Sequence, residues 1–151
     1  MKRGSPMMFD TTVYITAVRQ GPQSPSAQLL RANIPRTHFA AVVAAELRAG
    51  ARSLEARRAV TSIIDAARGV GRLVTPSLAS WLKAGEIMAR IRSRNPAVAS
   101  KLPRLWNDLL IALSAAQVGA IVVTHNRDDF VLLRRHVPFT LTTLRAADGP
   151  S

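Results

Sequence analysis

From Leu109 to Asn126 the chain carries no Lys, Arg, Asp or Glu. A membrane-spanning helix needs about 20 predominantly apolar residues. Here Ser114, Gln117 and Gly119 interrupt the run, and β-branched residues replace helix formers after Gly119. The run therefore reads as two elements. A helix, apolar nearly all round as a buried helix is, ends near Gly119. A buried strand, Ala120 to Thr124, follows it. A helix leading directly into a buried strand commits the chain to an α/β architecture.

The edges of this run are acidic in a chain that is otherwise basic. Asp108 lies in the second turn of the helix, past the reach of simple capping, and Asn126, Asp128 and Asp129 follow the strand. Only 9 Asp plus Glu stand against 21 Lys plus Arg, so acids gathered beside the most apolar segment need a cause. A carboxylate held against an apolar core is costly unless hydrogen bonds, a base or a metal compensate it.

The formal net charge of +12 points to a polyanionic partner, with nucleic acid first. A genome favouring Ala and Arg codons is the compositional alternative. At 151 residues and 48% hydrophobic content, the expectation is one domain over residues 1–145 and a mobile tail over 146–151. Cysteine is absent, which excludes a disulfide scaffold, a thiolate metal site and a cysteine nucleophile, and suits a cytoplasmic setting. The start, MKRGSPMMFDTTVYI, lacks the apolar core and cleavage site of a signal peptide, and no membrane association is expected.

Along the chain, Met7–Phe9 reads as a first buried strand ending at Asp10. A short helix follows within Val13–Val18, then a loop at Gln20–Ser26 and a helical turn over Ala27–Ala32. Thr37 is placed to cap a helix that stops at Gly50, with Glu46 in its last turn. Negative charge is unfavourable there, so Glu46 is either an exposed partner of Arg48 or Arg52 or part of a site. Ser53 caps the next helix. Arg72–Thr75 is a short strand, and a long helix runs from Ser77 or Leu78 to Arg94, with Trp81 and Met88 as core candidates. Pro103 opens the central helix. A short helix runs from Asp129 to Arg135, and Phe139–Leu144 reads as an edge strand. Ligands of parallel sheets bind beyond the carboxyl ends of the strands. That edge would gather Asp10, Asn126, Asp129 and Asp108, and would give Glu46 a reason. Such a set of oxygens suits Mg²⁺ or Mn²⁺, around which a basic surface could hold a nucleic-acid backbone.

The order of motifs is more specific than any one of them. FDTTVYI at 9–15, AAELRAG at 44–50, NDLLIALSAAQVGA at 107–120 and VVTHNRDDF at 122–130, with RLVTPSLASWLKAGEIMARI at 72–91, resemble the PIN-domain family. Within it they resemble the small bacterial toxin ribonucleases of the VapC type, over about Met8 to Leu144. The resemblance implies a three-layer α/β/α sandwich with a mostly parallel central sheet of four to five strands. It implies Mg²⁺- or Mn²⁺-dependent cleavage of RNA, a cognate antitoxin and a homodimer. Asp10, Glu46 and Asp108 match the three family acids. Asn126 matches a position that is often a fourth acid, and Asp129 the acid before the family Phe. Thr124 matches the hydroxyl at the strand end and, with Arg127, is expected to meet substrate. Asp10 and Asp108 would hold the metal directly, Glu46 would bind it through water or orient the attacking water, and Asn126 and Asp129 would complete the shell. Thr12 stands where the family often has Asn or Ser. Asp128 has no counterpart and is expected to be exposed. His38, His125 and His136 form no ligand cluster. Two alternatives remain at this point: a catalytically weak RNA- or protein-binding module of the same fold, and a haloacid-dehalogenase-like phosphatase with Asp10 as nucleophile. The second would want an acid where Thr12 stands.

Overall fold

The computed structural model describes residues 4–145, so the expected tail at 146–151 lies outside the described residues. The chain alternates strand and helix: β1 (Met7–Phe9), α1 (Thr11–Gln20), α2 (Pro25–Ala32), β2 (Phe39–Ala40), α3 (Ala41–Gly50) and α4 (Leu54–Gly69). It continues with β3 (Leu73–Val74), α5 (Leu78–Arg94), α6 (Leu102–Val118), β4 (Ile121–Thr124), α7 (Arg127–Arg134) and β5 (Thr140–Thr143). Strands β1, β4 and β5 form one parallel sheet in the order β1-β4-β5, and β2 pairs with β3 in parallel. A parallel bridge between Met7 and Thr37 joins the two. The five strands thus run β3-β2-β1-β4-β5, with β5 at an edge as expected.

Period-two alternation assigns the two faces. Met8 and Val122 pack into the larger core, with Ile87, Ile91, Leu105, Leu109 and Ile111 from α5 and α6. Phe9 and Val123 point the other way and pack with Val13, Tyr14, Leu29 and Leu30 from α1 and α2. The sheet is the middle layer of an α/β/α sandwich, in agreement with the sequence reading. The uncharged run divides as expected, α6 ending at Gly119 and β4 beginning at Ile121. No helix among the described residues is long and apolar enough to cross a membrane. Ser24, Ser53 and Ser77 each cap a helix through the side-chain oxygen, accepting a backbone N–H three residues on.

Several expectations need correction. Thr37 caps no helix; its hydroxyl donates to the Asn33 carbonyl at 2.8 Å. The N–H groups of His38 and Phe39 donate instead to Met7 O and Arg72 O, both at 2.8 Å. Strand pairing thus claims the segment, and α3 starts at Ala41 with no side-chain cap. Glu46 consequently falls in the second turn of α3. Gly50 is the last residue of α3 and has no positive φ, so it is no C′ stop signal. The first helix begins at Thr11 rather than Val13, and the last at Arg127 rather than Asp129. Pro103 is the second residue of α6, because a 3₁₀ turn over Pro96–Lys101 runs into it. Met88 is buried, but Trp81 is 48% exposed and lies with Leu78 and Leu82 on an outer face.

Gly119 is the joint between α6 and β4. It adopts the left-handed conformation (φ 67°, ψ 28°), and its N–H closes the helix onto Ala115 and Ala116 carbonyls. An added Cβ would meet no atom within 4 Å, so any penalty comes from the backbone alone. Gly119→Ala is therefore expected to cost about 1 kcal/mol, lowering Tm by roughly 2–4 °C in a thermal melt. An unchanged or raised Tm would show that the turn relaxes to another conformation.

Candidate active site

Each acid reaches the site because an element ends or begins there. β1 stops at Phe9 because Asp10 caps α1: its Oδ1 accepts the Thr12 N–H at 2.7 Å and the Thr12 hydroxyl as well. Its Oδ2 accepts the Thr124 hydroxyl at 2.6 Å, and its N–H donates to Val123 O at 3.0 Å. Asp10 is 2% exposed. Burial pushes its carboxyl up, and the threonine hydrogen bonds pull it back.

Asp108 projects from the N-terminal half of α6, which starts at the same edge of the sheet. Its carboxyl is pushed up to about 8, first by burial and then by Asp10, Asp129 and Glu46, with Arg104 opposing. Glu46 accepts the Thr11 hydroxyl at 2.8 Å. Burial raises its carboxyl most, Asp10 raises it further, and hydrogen bonds from Thr11 and Asn107 lower it. The exposed pairing with Arg48 or Arg52 does not occur; Arg48 donates to Thr61 instead. The buried Asp129 lies in the first turn of α7. The Asn126 amide bridges the two sides, donating to Asp108 Oδ2 at 3.2 Å and Asp129 Oδ2 at 3.0 Å. Hydrogen bonds thus join Asp108, Asn126 and Asp129, while Asp10 and Glu46 reach Asp108 through charge alone.

The expected substrate contacts separate. Thr124 is fully buried and spends its hydroxyl proton on Asp10, so it faces the carboxylate rather than solvent. Arg127 is exposed beside the exposed Asp128, 3.9 Å away. The histidines form no ligand set. His125 Nε2 lies 3.2 Å from Ser26 Oγ. Nδ1 of His38 is buried with no partner among the described residues, and burial and then Arg72 lower this ring's affinity for a proton. Burial and then Arg90, Arg94 and Arg135 do the same to His136. Trp106 is half-buried against the core.

Three contributors were not foreseen. Thr11 and Asn107 brace Glu46, and nothing in their spacing announces it. Arg104 Nε stands 3.5 Å from Asp129 Oδ2. The last was visible as an Arg four residues before Asp108 on one helix face.

Among the described residues, no three Asp, Glu or His side chains are grouped tightly enough to enclose a metal ion as they stand. The donor set is nonetheless all oxygen, the kind hard divalent cations take. Asp10 and Glu46 both raise the Asp108 carboxyl, so they lie within electrostatic range of it. A cation would relieve that repulsion, which the Asn126 amide and Arg104 now relieve in part.

Fold and site together define an α/β protein with a carboxylate cluster at the carboxyl edge of a parallel sheet. The sequence profile of the PIN domain matches residues 7–135; the chain belongs to the PIN-domain family. No curated protein matches the chain. It is similar in fold to a VapBC2 structure from Rickettsia felis bound to a promoter DNA fragment: TM-score 0.59, 22% identity, covering 91% of this chain and 98% of that one. A DNA-bound VapBC from Salmonella typhimurium gives TM-score 0.63 and 21% identity, covering 93% and 98%. A FitAcB structure from Neisseria gonorrhoeae gives 0.64 and 17%, covering 89% and 95%. Membership of the PIN family sets aside the dehalogenase-like phosphatase.

Asp108 fixes the sign of a pH effect. Its folded carboxyl titrates near 8 and its unfolded one near 3.8. Between these values the folded state binds more protons, so stability falls as pH rises. In EDTA, Asp108→Asn should leave Tm nearly unchanged at pH 4 and raise it by roughly 2–4 °C or more at pH 8. A drop at pH 8 in a melting series would make Asp108 a structural hydrogen-bonding group instead.

Proposed function

We propose that the protein is a metal-dependent endoribonuclease, acting as the toxin of a toxin–antitoxin pair. The observation that carries this reading is the convergence of Asp10, Glu46, Asp108 and Asp129 in a chain of net charge +12. Acids alone repel phosphate. Acids that hold a divalent cation inside a basic protein attract it.

In this reading Asp10 and Asp108 hold Mg²⁺ or Mn²⁺ directly, while Asn126 and Asp129 complete the shell; drawing them together takes side-chain movement. A divalent ion held by these residues would supply charge neutralisation at a phosphoryl oxygen and a water of lowered pKa. Thr12 and Thr124 fix the Asp10 carboxylate, which reduces the reorganisation needed on binding. Glu46, raised by burial and braced by Thr11 and Asn107, orients the attacking water and takes its proton. Arg127, exposed at the start of α7, meets the RNA backbone.

The VapC-type resemblance extends the proposal to an antitoxin and a homodimer. An open apolar groove of about 600 Å³, lined by Tyr14, Leu30, Ile34, Phe39, Ile63 and Val70, supports a protein partner on the α1–α2–α4 side. Val70 and Ile34 are 62% and 64% exposed there, which is costly without a cover.

Wild type is expected to cleave a single-stranded RNA pool with Mn²⁺ or Mg²⁺ and not with EDTA. Asp108→Asn should lose more than about 100-fold of that activity. Equal, metal-independent traces from both proteins would leave the fold as a binding module for RNA or protein.

A further inference from the structure

Arg104 is an unusual residue for its place. It lies in the first turn of α6, where the helix dipole disfavours positive charge. Its only ion-pair contact among the described residues is through Nε, 3.5 Å from Asp129 Oδ2. No hydrogen bond engages its terminal nitrogens among those residues, and its side chain is 66% exposed. An exposed, loosely set pair of this kind contributes little to stability. The pair is unequal, however, because the Asp129 side chain is 8% exposed and is also held by the Asn126 amide. One partner is fixed within the acidic cluster, and the other is largely open to solvent beside it. Arg104 also stands one helical turn from Asp108, on the same face, and its charge reaches that carboxylate.

A guanidinium held by Nε keeps four N–H donors on its terminal nitrogens, in a planar fork that matches two phosphate oxygens. We propose that Arg104 is the residue that grips the RNA phosphate at the mouth of the acidic site, with Asp129 as the positioning residue that aims it. The assignment rests on the nuclease reading above. It gives Asp129 a task besides completing a metal shell, and supplies a cation where phosphate must pass a ring of carboxylates. Arg127 is a weaker candidate for the same task, because its contact is Asp128, itself 94% exposed.

Steady-state cleavage of a single-stranded RNA pool with Mn²⁺ tests this in wild type, Arg104→Ala and Arg104→Lys, with Mn²⁺ affinity measured by electron paramagnetic resonance. Arg104→Ala is expected to lower kcat/KM roughly ten-fold or more and to reduce the salt slope of log KM by about one. Its Mn²⁺ affinity should not weaken, since removing a cation beside the acids favours the metal, and its Tm should stay near that of wild type, as expected for an exposed pair. Arg104→Lys should recover only part of the activity, because an ammonium is a point charge without the fork. An active wild type with an unchanged Arg104→Ala, or a loss accounted for by weakened Mn²⁺ affinity, overturns the assignment and leaves the nuclease reading standing. A wild type with no metal-dependent cleavage overturns both.

Discussion

The burial of one carboxylate organises this molecule. Asp10 ends β1, caps α1 and is tied to β4 through both its backbone N–H and its side chain. Three elements meet at a group that would be expensive to bury unpaired. The threonines on either side are what make the burial tolerable. Thr12 supplies two donors to one oxygen, and Thr124 supplies one to the other. Removing a buried donor of this kind leaves the whole desolvation penalty behind. The same three contacts fix where β1 ends relative to β4, and therefore where every other acid can stand.

Around that point the charge is layered. Acids occupy the interior of the sheet edge, and burial first, then their mutual repulsion, raises the carboxyls of Asp108 and Glu46. The protein meets part of this with its own groups: an amide at Asn126, hydroxyls at Thr11, Thr12 and Thr124, and one guanidinium at Arg104. None of these carries enough positive charge to balance the cluster. The molecule accordingly keeps an electrostatic deficit in one place, within a net charge of +12 overall.

The sequence disclosed what depends on long periodic runs. The change at Gly119 from helix formers to β-branched residues marks a real joint, because only a left-handed residue turns α6 into β4 there. Asp108 stood out because it lies at the edge of the apolar run in a chain poor in acids. Asp10 was legible as a strand terminus, but its capping role was not, since one Asp before Thr-Thr fits a loop as well. Strand β2 escaped because two residues carry no period, and the partners that claim its N–H groups, Met7 and Arg72, are remote in sequence. Trp81 misled because its helix leaves one apolar stripe outside, and helical spacing does not say which stripe faces in. Glu46 stands before the last turn because Gly50 is itself the last helical residue of α3. Its bracing by Thr11 is a contact between distant segments, which only the assembled fold creates.

The threonine contacts at Asp10 also have a direction. A hydroxyl owns one proton, and Thr12 and Thr124 both give theirs to the carboxylate. Their lone pairs in turn accept peptide N–H groups, His125 onto Thr12 and Asn126 onto Thr124. The chain of donors therefore runs one way, from the loop after β4, through two hydroxyls, into a single anion. Oδ1 accepts two hydrogen bonds and Oδ2 one, so donors from both sides converge on the carboxylate. The loop that carries Asn126 is thereby tied to Asp10 through the fixed orientation of two O–H bonds.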